Sequence, residues 1–293
     1  MAAISNRRLA TLLALTPGIG GKSLIKILAR CDLMGIAPGE FVRLSREELR
    51  ESFGLTVKQA EAVASRKESW NEEVAGVERR LTELGVRLIT AADADYPARL
   101  EQFDPQAPPA LFCYGNLRLL GAKTFSILSS RNAPPKALDR IEKLTEEGVF
   151  QSEVLITGHD RPEYQRSAIV PLRWGSPRIL CFDRGMFQVL GEDLSNEPFR
   201  AARLWRYQFD AKTDLAISPF KPDSSFRGVN NQVRDRLVAA LSDRIDFPHL
   251  SSGGNMEKLA RLALKANRSV RVDSVCETFE KLVELGADVL SSP

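Results

Sequence analysis

Residues 15–23 read LTPGIGGKS, and two folds compete for them. Gly21-Lys22-Ser23 is how a phosphate-cradling P-loop ends, whereas Pro17-Gly18-Ile19-Gly20 is how the turn of a helix-hairpin-helix begins. A P-loop needs a glycine five residues before Gly21 and a buried strand ahead of it, so that backbone N–H groups can wrap phosphates. Thr16 stands at that position, and the preceding RRLATLLAL has helical spacing. The stretch therefore predicts a helical hairpin, with a second helix opening at Lys22. Gly18 and Gly20 permit the tight turn, and the free N–H groups of the second helix, beside Lys22, suit a phosphate. A plain helix–helix turn would use the same residues. A weaker copy, FGLTVKQA at 53–60, suggests a paired hairpin.

Working outward, the helical pattern continues through KSLIKILARC, through SREELRESF with a Ser45–Glu48 capping box, and through KQAEAVASRKESWNEEVAGVERRLTELG, closed by Gly85. Beyond the Pro-rich DPQAPPALFCYG the architecture changes. Six apolar runs, TFSILSS, EVLITG, PRILCFD, DLAIS, RIDFPHL and SVRV, each precede an amphipathic or helical segment, including one near 196–206. That alternation predicts an α/β fold with a mostly parallel sheet covered on both faces, whose ligands gather at the carboxyl ends of the strands. The expected boundaries are a helical-hairpin (SAM-like) domain at 1–88, a connecting segment at 89–121 and a Rossmann-like domain at 122–293.

At 293 residues, 43% hydrophobic and 27% charged, the chain has the composition of a globular protein and not of a disordered one. No apolar run is long enough for a membrane span, and the segment around Arg7 and Arg8 is expected to be the first helix of a cytoplasmic protein. Four scattered cysteines and two histidines offer no zinc or disulfide pattern, so no metal and no cofactor are expected. The net charge of +3 lies wholly in residues 1–90, which hold 14 Lys+Arg against 11 Asp+Glu, a lean toward a polyanionic partner.

DADYPARLEQFDPQAPPALFCYGNLRLLG at 93–121 closely resembles the entry to the nucleotide-binding-like domain of the DNA-processing protein A (DprA/Smf) family. SILSSRNAPPKAL, RDRLVAALSD, SSGGNMEKLARLALKANRSV and LVELGADVL follow in the family's order. The resemblance implies a helical hairpin module, a Rossmann-like domain, a homodimer, and binding of single-stranded DNA that is handed to a RecA-type recombinase during DNA uptake, without catalysis. The sequence departs from the pattern at Ser129, where glycine is usual. It departs again in Thr157-Gly158-His159-Asp160-Arg161, which lacks a later glycine and aspartate, at Ala168 where the family has histidine, and at Asp235 where it has asparagine. Relatives with altered pockets serve as antitoxin-like or accessory partners in anti-phage modules, so a toxin encoded nearby is an alternative partner.

The candidate contacts follow from the strand ends. Ser130, Arg131 and Asn132 close the first sheet strand, where a planar guanidinium and small donors would meet a phosphate, or where an arginine would merely close a loop. The loop after the second strand adds Gly158, His159 and Arg161. Ser252, Gly253, Gly254 and Asn255 precede a helix and offer up to four unpaired N–H groups. Glu257 in its first turn favours the helix dipole but repels an anion, leaving a capping role open. On VNNQVRDRLVAALS the expected buried stripe is Val233, Leu237, Ala240 and Leu241, which sets Arg234 and Arg236 to opposite sides of it as candidate phosphate contacts. His159 and Asp160, adjacent on a loop, lack a partnering nucleophile and are not expected to be catalytic. A phosphoribohydrolase reading of Gly253-Gly254 and Glu257 is the enzymatic rival. Trp174, Trp205, Tyr207 and Phe209 suit base stacking or core packing, and core packing is expected.

Overall fold

The structure, a computed structural model, describes residues 6–290. The remaining ends of the two expected domains lie outside the described residues. The chain divides into two compact units, one running through Glu101 and including Pro105–Phe112, the other formed by Gln102–Asp104 and the chain from Cys113 onward.

The first unit opens with α1 (Asn6–Ala14), α2 (Gly21–Met34), α3 (Pro38–Phe41), α4 (Arg46–Phe53), α5 (Val57–Ala64) and α6 (Trp70–Glu83). Their apolar faces close on a core that includes Leu9, Leu12, Leu24, Ile27, Phe41, Phe53, Val63 and Trp70. The α1–α2 turn is the predicted hairpin: helix precedes it, and Gly18 has φ +83°, a conformation that a side chain would strain. The second hairpin, α4–α5, turns at Gly54 with φ +66° and restarts at Thr56, whose side chain accepts from the Gln59 N–H. Gln59 Nε2 also donates to the Gly18 carbonyl at 2.6 Å, so the two turns are fastened to each other. The Ser45–Glu48 capping box forms as expected. One expected helix is in fact two, because the chain turns through Ser65–Ser69 before Trp70 restarts it, separating α5 from α6.

Beyond the helices lie β1 (Arg87–Thr90), α7 (Ala98–Phe103) and β2 (Ala110–Gly115). Neither strand was among the six predicted. The prolines just before β2 disguise ALFCYG as irregular chain.

In the second unit the elements are β3 (Thr124–Ser129), α8 (Pro135–Phe150), β4 (Val154–Thr157), α9 (Pro162–Arg173), β5 (Arg178–Cys181), α10 (Phe187–Leu190), β6 (Leu215–Ser218), α11 (Asn230–Leu241), β7 (Arg244–His249), α12 (Asn255–Lys265), β8 (Ser269–Val272), α13 (Phe279–Glu284) and β9 (Asp288–Val289). The helix expected near 196–206 is instead a single 3-10 turn at Arg200–Leu204. Strand order runs β6-β5-β4-β3-β7-β8-β9, with the pairings parallel. Every residue of β3, β4, β5 and β6 is buried, as a sheet covered on both faces requires. The chain winds outward from β3 through β6, then returns to the other side of β3 to lay down β7. This reversal leaves a crevice between the loops that follow β3 and β7, the place where such sheets hold ligands. The four cysteines form no disulfide and are buried, and among the described residues no helix is long and apolar enough to cross a membrane.

Candidate functional site

The crevice brings two of the predicted loops into direct contact. The Ser130 N–H donates to the His249 carbonyl at 3.0 Å, and the Ser251 N–H donates to Ser130 Oγ at 2.9 Å. Ser129 is buried, its hydroxyl directed to the Ser130 and His249 carbonyls. Arg131 and Asn132 then emerge into solvent, Asn132 at φ +59°. Arg131 has no ion-pair partner among the described residues.

The amide groups expected to be free are already engaged. The Ser252 N–H donates to Glu277 Oε2 at 2.7 Å, the Gly253 N–H to Glu257 Oε2 at 2.7 Å, and the Gly254 N–H to the Ser251 carbonyl at 3.4 Å. On the facing loop the Ala133 N–H donates to Glu163 Oε1 at 3.3 Å. Three carboxylates of the chain's own thus accept from amides of these two loops. Arg261 holds Glu257 through two hydrogen bonds and, with the Gly253 amide, keeps its carboxyl below the usual range.

The loop after β4 lies over a buried charged network. Arg234 is wholly enclosed, which corrects its expected role as a phosphate contact. Its guanidinium donates to Asp183 at 3.0 Å, to Asp235 at 2.9 Å, to Asn231 at 3.1 Å and to the His159 carbonyl, and it stacks 4.8 Å from the centroid of the Tyr164 ring. Placing α11 with Arg234 and Asp235 inward leaves Val233 half-buried, so the expected apolar stripe is wrong in its first turn. The Tyr164 hydroxyl donates to Asp235 at 2.6 Å, and burial together with that carboxylate raises its pKa well above the ordinary phenol value. Arg161 is tied to Asp235 at 3.4 Å and Arg236 to Asp104 at 2.7 Å, so both cations are already neutralised. Gly158 is also corrected. It is buried, and a Cβ there would lie 2.6 Å from the Tyr164 ring and 2.7 Å from Arg234 Cδ, so the glycine makes room for protein, not for phosphate.

His159 packs edge-on against Phe182 with ring centroids 5.8 Å apart, while Asp160 turns to Arg184 at 2.8 Å, so the pair does not converge on one point. Among the described residues no three His, Cys, Asp or Glu side chains are grouped to hold a metal ion. Beside the crevice, a groove of about 170 Å3 runs between α11 and α12, lined by Gln232, Arg236, Asn255, Lys258, Leu259 and Leu262. Ser252, Gly253 and Asn255 are exposed, as are Gly18, Gly20 and Lys22 on the first hairpin.

Sequence reasoning missed Glu163, Asp183 and Glu277. Glu163 carries a signal, an acidic residue just after a helix-opening proline. Nothing local marks Glu277 as the acceptor for Ser252.

The fold and crevice define a Rossmann-like α/β protein with its ligand edge at a strand-order reversal, preceded by paired helical hairpins. The family model of the DNA recombination-mediator protein A matches residues 87–161. The structure of DprA from Streptococcus pneumoniae superposes with a TM-score of 0.73 at 17% identity, covering 99% of this chain and 95% of that one. The structure of DprA from Helicobacter pylori, described for its single-stranded DNA binding mode, gives 0.54 at 18% identity over 71% of this chain and 91% of that one. At these identities the two structures establish the fold. No curated protein matches the sequence.

Proposed function

We propose that this chain is a DprA-like DNA-processing protein that binds single-stranded DNA at the β3–β7 crevice and catalyses no reaction on it. The observation that carries this reading is Arg131, exposed at the carboxyl end of β3 with no carboxylate partner among the described residues. Arg161, Arg234 and Arg236 are all paired within the protein. Ser130, Asn132, Ser252, Gly253, Gly254 and Asn255 border the same opening, and the hairpin residues Gly18, Gly20 and Lys22 offer a second contact to the backbone. The family-model match over residues 87–161 and the DNA binding described for the H. pylori structure support the reading, and a RecA-type recombinase is the partner it implies. Titration with an oligonucleotide at several salt concentrations tests it. Binding should weaken with salt at a slope near −0.7 per phosphate neutralised, and Arg131→Ala should reduce that slope by about 0.7. A flat salt profile, or an unchanged slope in the variant, rejects it.

A second reading has its own observation. Glu163, Glu257 and Glu277 fill the donor positions of the crevice, which suits a scaffold whose anion site has closed and which restrains a partner protein, such as a toxin encoded nearby. Exchanging Glu257→Gln and Glu277→Gln separates the two. The DNA reading expects tighter oligonucleotide binding once the repelling charges are gone, and the partner reading expects no binding in either form.

A further inference from the structure

We propose that a strip of exposed rings and arginines at the amino-terminal edge of the sheet, centred on Trp174 and Trp205, is a second surface for single-stranded nucleic acid, distinct from the crevice. This rests on the reading that the chain binds single strands, and goes beyond it in location and chemistry. Phe150 ends the helix that leads into β4, Trp174 follows the helix that leads into β5, and Leu204, Trp205 and Tyr207 precede β6. In a parallel sheet these positions share one edge, opposite the crevice.

Core packing was expected of four aromatic residues here, and only one follows it. Phe209 is buried against Tyr114, with ring centroids 5.7 Å apart. Trp174, Trp205 and Tyr207 are 52%, 44% and 82% exposed. The two indoles are nevertheless held in place. Phe150 braces Trp174 edge-on at 4.8 Å between centroids, and the Arg173 guanidinium, itself tied to Glu142, lies 5.6 Å from the centre of the Trp205 ring. Fixed, half-exposed rings lose little freedom when a base stacks on them, and every base has a face to offer.

Charge selects the occupant. The segment RAARLWRY at 200–207 holds three arginines and no acid. Arg206 turns inward to Glu197 and Asp214, leaving Arg200 and Arg203 exposed without an ion-pair partner among the described residues. An apolar protein face would cover the rings and leave both cations unpaired, whereas a single strand supplies bases for the rings and phosphates for the guanidinium groups.

The test is quenching of intrinsic tryptophan fluorescence by oligothymidylate, with Trp70, buried among the helices of the first unit, as constant background. The wild-type emission should fall on titration, and Trp174→Ala and Trp205→Ala should each weaken binding by at least about fivefold, with the phenylalanine variants retaining most of it. Arg200→Gln with Arg203→Gln should reduce the salt slope by about 1.4, a readout that decides the matter should a tryptophan variant fail to fold. Weakening by the tryptophan exchanges with Arg131→Ala unchanged sustains this surface and removes the crevice. Full affinity in the tryptophan variants with Arg131→Ala weakened does the reverse. Failure of the wild type to bind removes both. Tryptophan variants that keep oligonucleotide affinity but shed a protein partner also overturn the proposal.

Discussion

His159 illustrates how one side chain carries a pH dependence without taking part in chemistry. Its ring packs against Phe182 and Phe199, and its Nδ1 is buried with no hydrogen-bond partner. Burial pushes its pKa below the ordinary histidine value, outweighing the opposing pull of Asp160 and Asp183. The folded state therefore takes up this proton less readily than the unfolded chain. The associated stability is complete above about pH 6.5 and is lost as the pH falls from there through the depressed folded value. Urea midpoints measured at about pH 7.5 and about pH 5.5 should differ less in His159→Asn than in the wild type; equal differences would refute the assignment. At this scale the sequence is a mixed guide. Arg131 stands where its place after an aliphatic strand puts it, exposed at a strand's carboxyl end. Arg234 does not, because its burial is set by Asp183, far away in sequence, and no local pattern announces that pairing.

Between elements, the decisive contact is α9 against the first turn of α11, with the β4 loop pressed between them. Gly158 permits it by leaving the volume that Tyr164 and the Arg234 stem fill. Gly158→Ala forces that packing apart and should cost about 1–3 kcal/mol, read as a lowered urea midpoint with an unchanged m-value. A variant as stable as the wild type would show that the loop yields freely. Element prediction succeeded where residue alternation and helical spacing were strong: six strands of the parallel sheet and the two hairpin turns were legible. It failed at β1, at β2, where prolines precede a short apolar run, and at β9, which has only two residues. Of the carboxylates at the crevice, Glu257 was legible as a cap, whereas Glu163 was hidden for a different reason. A glutamate in the first turn of a helix is ordinary dipole compensation, and only the folded geometry turns it toward the amide of another residue.

At the scale of the molecule, the α/β class was readable because short apolar runs alternate with helical segments in a fixed order over most of the chain. The surface chemistry was not, since whether an aromatic residue faces water depends on neighbours that only the tertiary fold supplies. The cysteines connect the two scales. Cys31 belongs to the helical unit, whereas Cys113, Cys181 and Cys276 belong to the sheet unit, and all four are enclosed. Burial pushes the Cys31 and Cys276 thiols up to about 11 and raises that of Cys181 further. An alkylating reagent meets these sulfurs only when the surrounding chain opens. Iodoacetamide should modify Cys181 faster in Gly158→Ala and leave the rate at Cys31 unchanged, as followed by peptide mass spectrometry; equal acceleration at both would mean that the units open together. The thiols are thus built-in clocks, one set in each half of the chain, that report how often each half breathes.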